Sequence, residues 1–256
     1  MPAPEPQPRS RRLTSRFRFG GKARRQHKLD LIRTPLTTTH RIVLTNPVGA
    51  GRTATTLMLG SILASEREDR VVAFDAGPIG AALGHVRETL SGLEILAGAS
   101  TPGKPRPRAF YEENRRVIAN LNGRCAVVLA DTGTFLDARR GIPDLADQLI
   151  IVTTTSTEHR WSAHSVLDKL EQDGHAELVR HSITVINRSS ETQAMPDDDL
   201  AEGYRARCRG VVVVPYDDHT APAQRDVDPQ QLAPKTLDAY LDLAALVAEG
   251  FPGAAR

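Results

Sequence analysis

Thr45-Asn46-Pro47-Val48-Gly49-Ala50-Gly51-Arg52-Thr53-Ala54-Thr55-Thr56 is the stretch on which the fold of this chain turns. The apolar run Arg41-Ile42-Val43-Leu44 leads into it, and Leu57, Leu59, Ile62, Leu63 and Ala64 follow at helical spacing. Strand, glycine loop and helix in that order form a phosphate-binding setting, because backbone N–H groups and the helix N-terminus face an anion. The usual loop reads G-x-x-x-x-G-K-[ST], with Lys on the phosphates and the hydroxyl on Mg2+. Here Asn46 stands at the first Gly and Arg52 at the Lys.

Outward from the loop, apolar runs alternate with helical patterns. Arg70–Asp75, Ala126–Asp131, Leu149–Thr153, Ser182–Asn187 and Gly210–Pro215 read as strands, with a short one at Leu93–Ala97. Helices are expected at 52–67, 110–121, 158–172, 199–208 and 232–249, and residues 79–90 as helix or loop. Strands alternating with helices predict an α/β fold of three layers, α/β/α, around a mostly parallel sheet. Ligands in such sheets bind beyond the carboxyl ends of strands. Those ends carry the glycine loop, Asp75, Asp131 and Asn187. An acid closing an apolar strand opposite such a loop suits Mg2+ or an attacking water.

Composition bounds the rest. Hydrophobic residues make up 40% and charged residues 25% of 256 residues, as in globular proteins. No apolar run approaches the roughly 20 residues of a membrane span, and no secretory leader is expected. Cys125 and Cys208 lack metal-ligand spacing and are expected as free thiols. Residues 1–33 hold ten Lys/Arg against Glu5 and Asp30. The segment 1–36 is therefore expected to be a disordered Pro/Arg-rich basic tail. Such a tail could meet nucleic acid, anionic lipid or an acidic protein, or simply solubilise the chain. Residues 37–250 would form the domain and 251–256 a flexible C-terminus. His159 and His164 are expected as surface or packing residues and Trp161 as a partly buried one. The last helix has Asp238, Asp242 and Glu249 against Lys235, and lacks the basic face of a membrane-surface helix.

Taken in order, Asn-Pro-Val-Gly-Ala-Gly-Arg-Thr, Val-Val-Ala-Phe-Asp-Ala-Gly-Pro, Val-Val-Leu-Ala-Asp-Thr-Gly, Thr-Val-Ile-Asn-Arg and Val-Val-Val-Pro-Tyr-Asp resemble the MinD/ParA family of deviant Walker-A P-loop ATPases. The chain looks like the actinobacterial MinD-like proteins associated with ESX (type VII) secretion. The resemblance implies nucleotide contacts at Gly49, Ala50, Gly51, Arg52, Thr53, Ala54, Asp75 and Asn187, the last against adenine. It implies Mg2+ on Thr53 and Asp131, ATP as cofactor, Asp131 as the catalytic candidate, a cytoplasmic location, and a homodimer or secretion components as partners. Against the family loop K-G-G-x-G-K-[ST], the dimer-crossing Lys is Pro47, the first Gly is Val48 and the phosphate Lys is Arg52. The family's Asp-x-Asp becomes Asp75-Ala76-Gly77. Three readings stay open: a nucleotide-binding pseudo-ATPase acting as an accessory or regulatory protein, an active ATP-hydrolysing dimer, and a DNA-binding partition-type protein using its tail.

Overall fold

The structure, a computed structural model, describes residues 21–45, 49–75, 86–96, 108–131, 146–191, 196–220 and 228–253. Eight strands form one sheet: β1 His40–Thr45, β2 Val71–Asp75, β3 Val86–Glu88, β4 Glu94–Leu96, β5 Val127–Asp131, β6 Gln148–Thr154, β7 Ile183–Asn187 and β8 Gly210–Val214. Their order is β3-β4-β2-β5-β1-β6-β7-β8. All neighbours run parallel except the edge pair β3 and β4, which is antiparallel. The helices are α1 Gly21–Ile32, α2 Arg52–Glu66, α3 Arg108–Leu121, α4 Thr157–Gln172, α5 Ala176–Arg180, α6 Asp197–Arg205 and α7 Pro234–Ala248. Among the described residues, no helix is long and apolar enough to cross a membrane.

The central strands are apolar on both faces because both are covered. On β1, Ile42 and Leu44 join the layer beneath α1, α2 and α7. Val43 points the other way, into the layer built with α3, α4 and α6. β5 and β6 split in the same fashion, Leu129 and Ile150 to the first layer, Ala130 and Ile151 to the second. The chain leaves β1 toward β2 on one side and returns through β5 to β6 on the other. The C-terminal end of β1 is therefore the switch point of the sheet, where such folds open a crevice. Both cysteines are free and buried, and burial pushes the Cys125 thiol up to about 11.

Three expectations need correction. Part of the expected disordered tail, from Gly21 to Ile32, is helical and packs on α7. Ile32 is fully buried, and Leu29 and Leu31 lie against the same core. Lys28 pairs with Asp242, and Arg25 stands 4.0 Å from Asp238. Arg67 donates to the carbonyls of Ile32 (2.6 Å) and Thr34 (2.9 Å), closing the C-terminal end of the helix. Asp238 and Asp242 of α7 thus receive cations of α1. Residues 1–20 lie outside the described residues. At the other terminus Phe251, expected to be flexible, is 3% exposed. It meets His40 edge-on at 5.0 Å, with the Arg67 guanidinium 5.1 Å from its ring centre. Within 79–90, expected as helix or loop, residues 86–88 form the edge strand β3.

The ion pairs of α1 are partly exposed, and such pairs contribute about 1 kcal/mol or less. Burial of Ile32 carries more. Ile32→Ala is expected to cost about 2–5 kcal/mol in urea unfolding, and Lys28→Ala about 1 kcal/mol or less. The reverse order would make the helix an electrostatic attachment.

Candidate functional site

Five strand ends converge at the switch point. Asp131 lies opposite Leu44 on one side and Asp75 on the other. Thr154 lies opposite Asn187. Between them the chain turns from β1 into α2. Asn46, Pro47, Val48, Gly77 and Gly133 lie outside the described residues, and for Asp75 the structure gives its backbone position at the end of β2.

Gly49 and Gly51 take φ of +87° and +83°, conformations that side chains resist. Gly51 is the N-cap of α2 and has no side chain to cap it, and a helix start of this kind suits an anion. A Cβ on Gly51 would also stand 2.7 Å from Nδ2 of Asn187. That amide donates to the Ala50 carbonyl at 2.8 Å and approaches Thr55 Oγ1 at 3.4 Å. β7 thereby clamps the loop from one side. Its Oδ1 is buried without a partner, an acceptor suited to an amine donor such as a base would bring. Beneath the loop, Thr55 Oγ1 donates to the Gly51 carbonyl at 3.0 Å. The Tyr240 hydroxyl bonds Thr55, and burial pushes Tyr240 up to about 12, so it remains a neutral phenol.

β5 clamps the loop from the other side. Asp131 is 3% exposed. Thr53 Oγ1 donates to its Oδ2 at 2.7 Å, and the Arg52 guanidinium pairs with its Oδ1. Ala54 follows in the first turn of α2, half-buried. This donor set fits a Mg2+-phosphate group: amide N–H groups for the anion, and a hydroxyl and a carboxylate converging for the metal. Arg52 is the departure, since it occupies an oxygen of the carboxylate that a metal would share.

Two side chains lie where the sequence gave no signal for them. His159, expected to be surface or packing, stands over the loop, with Cε1 3.9 Å from where a Gly49 Cβ would be. Its sequence neighbours carry no hint of this, because the loop is over a hundred residues away. Trp161, expected to be partly buried, is 73% exposed. It lies in the first two turns of α4, whose buried face is formed by Ala163, Val166, Leu167 and Leu170. His164 is the packing residue expected, stacked on Tyr204 at 4.3 Å.

A parallel sheet in this order, with an anion-facing glycine loop at its switch point, has the P-loop fold of the MinD/ParA ATPases. MinD of Aquifex aeolicus matches with a TM-score of 0.61 at 17% identity, covering 84% of this chain and 99% of that one. A ParA family ATPase of Chlorobium tepidum matches at 0.60 and 15% identity, over 80% and 98%. MinD of Pyrococcus horikoshii complexed with Mg-ADP matches at 0.54 and 20% identity, over 80% and 94%. In sequence, the chain is similar to ESX-1 secretion-associated protein EspI of Mycobacterium tuberculosis, 28% identical over 247 residues. The match takes in 81% of this chain and 36% of EspI, so the chain spans about a third of that relative's length. No family model matches the chain.

The clamp on the loop makes a direct prediction. Gly51→Ala forces a side chain into φ +83° against Asn187. It should cost about 1–2 kcal/mol from backbone strain alone, seen as a lower urea midpoint. Ala50→Gly, with no such clash, should cost less.

Proposed function

We propose that the chain is a cytoplasmic, Mg2+-dependent nucleotide-binding protein that hydrolyses ATP poorly or not at all. It would serve as an accessory or regulatory component, working as a homodimer or with partners of a type VII secretion apparatus. The observation that carries this reading is the convergence of Thr53 Oγ1 and the Asp131 carboxylate at the N-terminus of α2, behind two positive-φ glycines. Gly49, Ala50, Gly51, Arg52 and Thr53 would hold the phosphates, and Thr53 with Asp131 the metal. Bound Mg2+ would neutralise phosphate charge.

Arg52 supports the binding half of the proposal and weakens the catalytic half. A guanidinium is planar and always charged, and it does not substitute for a compact ammonium in reach or geometry. Arg52 pairs with Asp131, and moving to a phosphate would cost it that contact. The sequence adds Pro47, which has neither an N–H nor a charge, and Gly77, which has no carboxylate. Losing one positioned transition-state donor costs about 10²–10³ in rate; two such donors are changed, and the water-orienting carboxylate is missing as well. The link to secretion rests on the similarity to EspI.

An active ATPase is the second reading, favoured by the intact Thr53–Asp131 pair. The partition-type reading is weaker, since the cations of α1 are partly engaged by α7. Calorimetric titration with Mg-ADP and Mg-ATP separates these. Both nucleotides should bind, Thr53→Val should weaken binding with Mg2+ far more than with EDTA, and phosphate release should stay near background. ATP turnover abolished by Asp131→Ala would establish the active ATPase. Absence of binding would reduce the site to scaffold.

A further inference from the structure

Pro47 brings neither an N–H nor a charge to the loop. The structure sets a different donor beside the same loop. His159 lies in the first turn of α4, immediately beyond β6. Ser156 caps that helix by accepting from the His159 N–H at 3.2 Å. Thr154, the last residue of β6, bonds the ring at Nδ1 over 2.9 Å. Thr154 is in turn in register with Asn187, the residue that clamps Ala50. Ring, cap, strand end and loop are thus held in one connected set.

Geometry then fixes what the ring presents. Cε1, the carbon between the two nitrogens, lies 3.9 Å from the Cβ position of Gly49. Any side chain at 49 would fill the space between them, and φ +87° already favours glycine there. With Nδ1 tied to Thr154, Nε2 is the nitrogen left to meet a ligand. Thr154 Oγ1 stands within reach of both Ser156 Oγ (3.2 Å) and Nδ1 (2.9 Å), and in the tautomer in which its proton goes to Nδ1 the ring's own proton is on Nε2. The result is a positioned N–H donor at the rim of an anion-binding loop. The cap and the strand-end bond restrict the ring, so little ordering is left to be lost on binding.

We propose that His159 is a phosphate-contacting residue of this site, donating from Nε2 to a phosphate oxygen of the bound nucleotide. It would add a donor from α4 to a loop in which Pro47 supplies none. The assignment rests on the nucleotide-binding reading above.

The test is calorimetric titration of the full chain with Mg-ADP, for wild type, His159→Ala and His159→Gln. A hydrogen bond to a charged group is worth enough that His159→Ala should weaken ADP about tenfold or more. Glutamine's amide reaches about as far as Nε2, and His159→Gln should recover most of the loss. Melting of the ligand-free variants should match wild type, because His159 is half-exposed. The same titrations with 2′,3′-dideoxy-ADP decide which part of the ligand is touched. An equal loss with this analogue supports phosphate contact. A loss that disappears with it points to ribose and overturns the assignment. Unchanged ADP affinity in His159→Ala also overturns it. If wild type binds no ADP, the nucleotide reading itself fails, a result distinct from any difference between variants.

Discussion

A carboxylate at the end of an apolar strand is the constraint on which the site depends. Asp131 is almost wholly buried, and a buried charge is tolerated only with partners that match it. Arg52 and Thr53 are those partners. Both belong to the first turn of α2, so pairing them with Asp131 fixes where α2 begins relative to β5. That in turn fixes the glycine loop between β1 and α2. The Asn187 amide ties the same loop to β7. The loop is consequently held from both flanks of the switch point.

This arrangement has two consequences for chemistry. On the proposed reading, the groups assigned to an anion, a metal and a base are brought together by the strand ends and the first turn of α2. The cation of the loop, however, is engaged by the carboxylate. On the proposed reading, a nucleotide would compete with this ion pair for Arg52. Catalysis makes a stricter demand than binding, because it needs donors placed for developing charge. On the proposed reading, Pro47 and Arg52 remove or alter such a donor and Gly77 brings no carboxylate to orient a water, while Thr53 and Asp131 remain placed for binding. The same logic gives His159 its interest: a donor from α4 can restore a phosphate contact without restoring hydrolysis.

Much of this was legible in the sequence because it is local. The strands are continuous apolar runs ending in Asp, Asn or the glycine loop, and a buried parallel sheet requires such runs. The loop's glycines and its hydroxyl follow one another within five residues. What the sequence concealed is non-local. In α1, apolar side chains gather only near the C-terminal end, at Leu29, Leu31 and Ile32, so no stripe runs its length. Its stabilising partner, the acidic face of α7, lies some two hundred residues away, and charge alone made the segment look disordered. Phe251 is likewise ordered by His40 and Arg67 rather than by its neighbours. β3 is three residues long and exists only by pairing with β4. His159 reads as an ordinary helix residue until β6 and β1 are laid side by side.

A crystal structure of the protein grown with Mg-ADP tests the central claim most directly. The account predicts phosphates against the amides of Gly49–Thr53, Mg2+ on Thr53 and Asp131, and Arg52 moved from Asp131 to a phosphate oxygen. A structure at saturating Mg-ADP in which Arg52 remains on Asp131 and the loop is empty would contradict it.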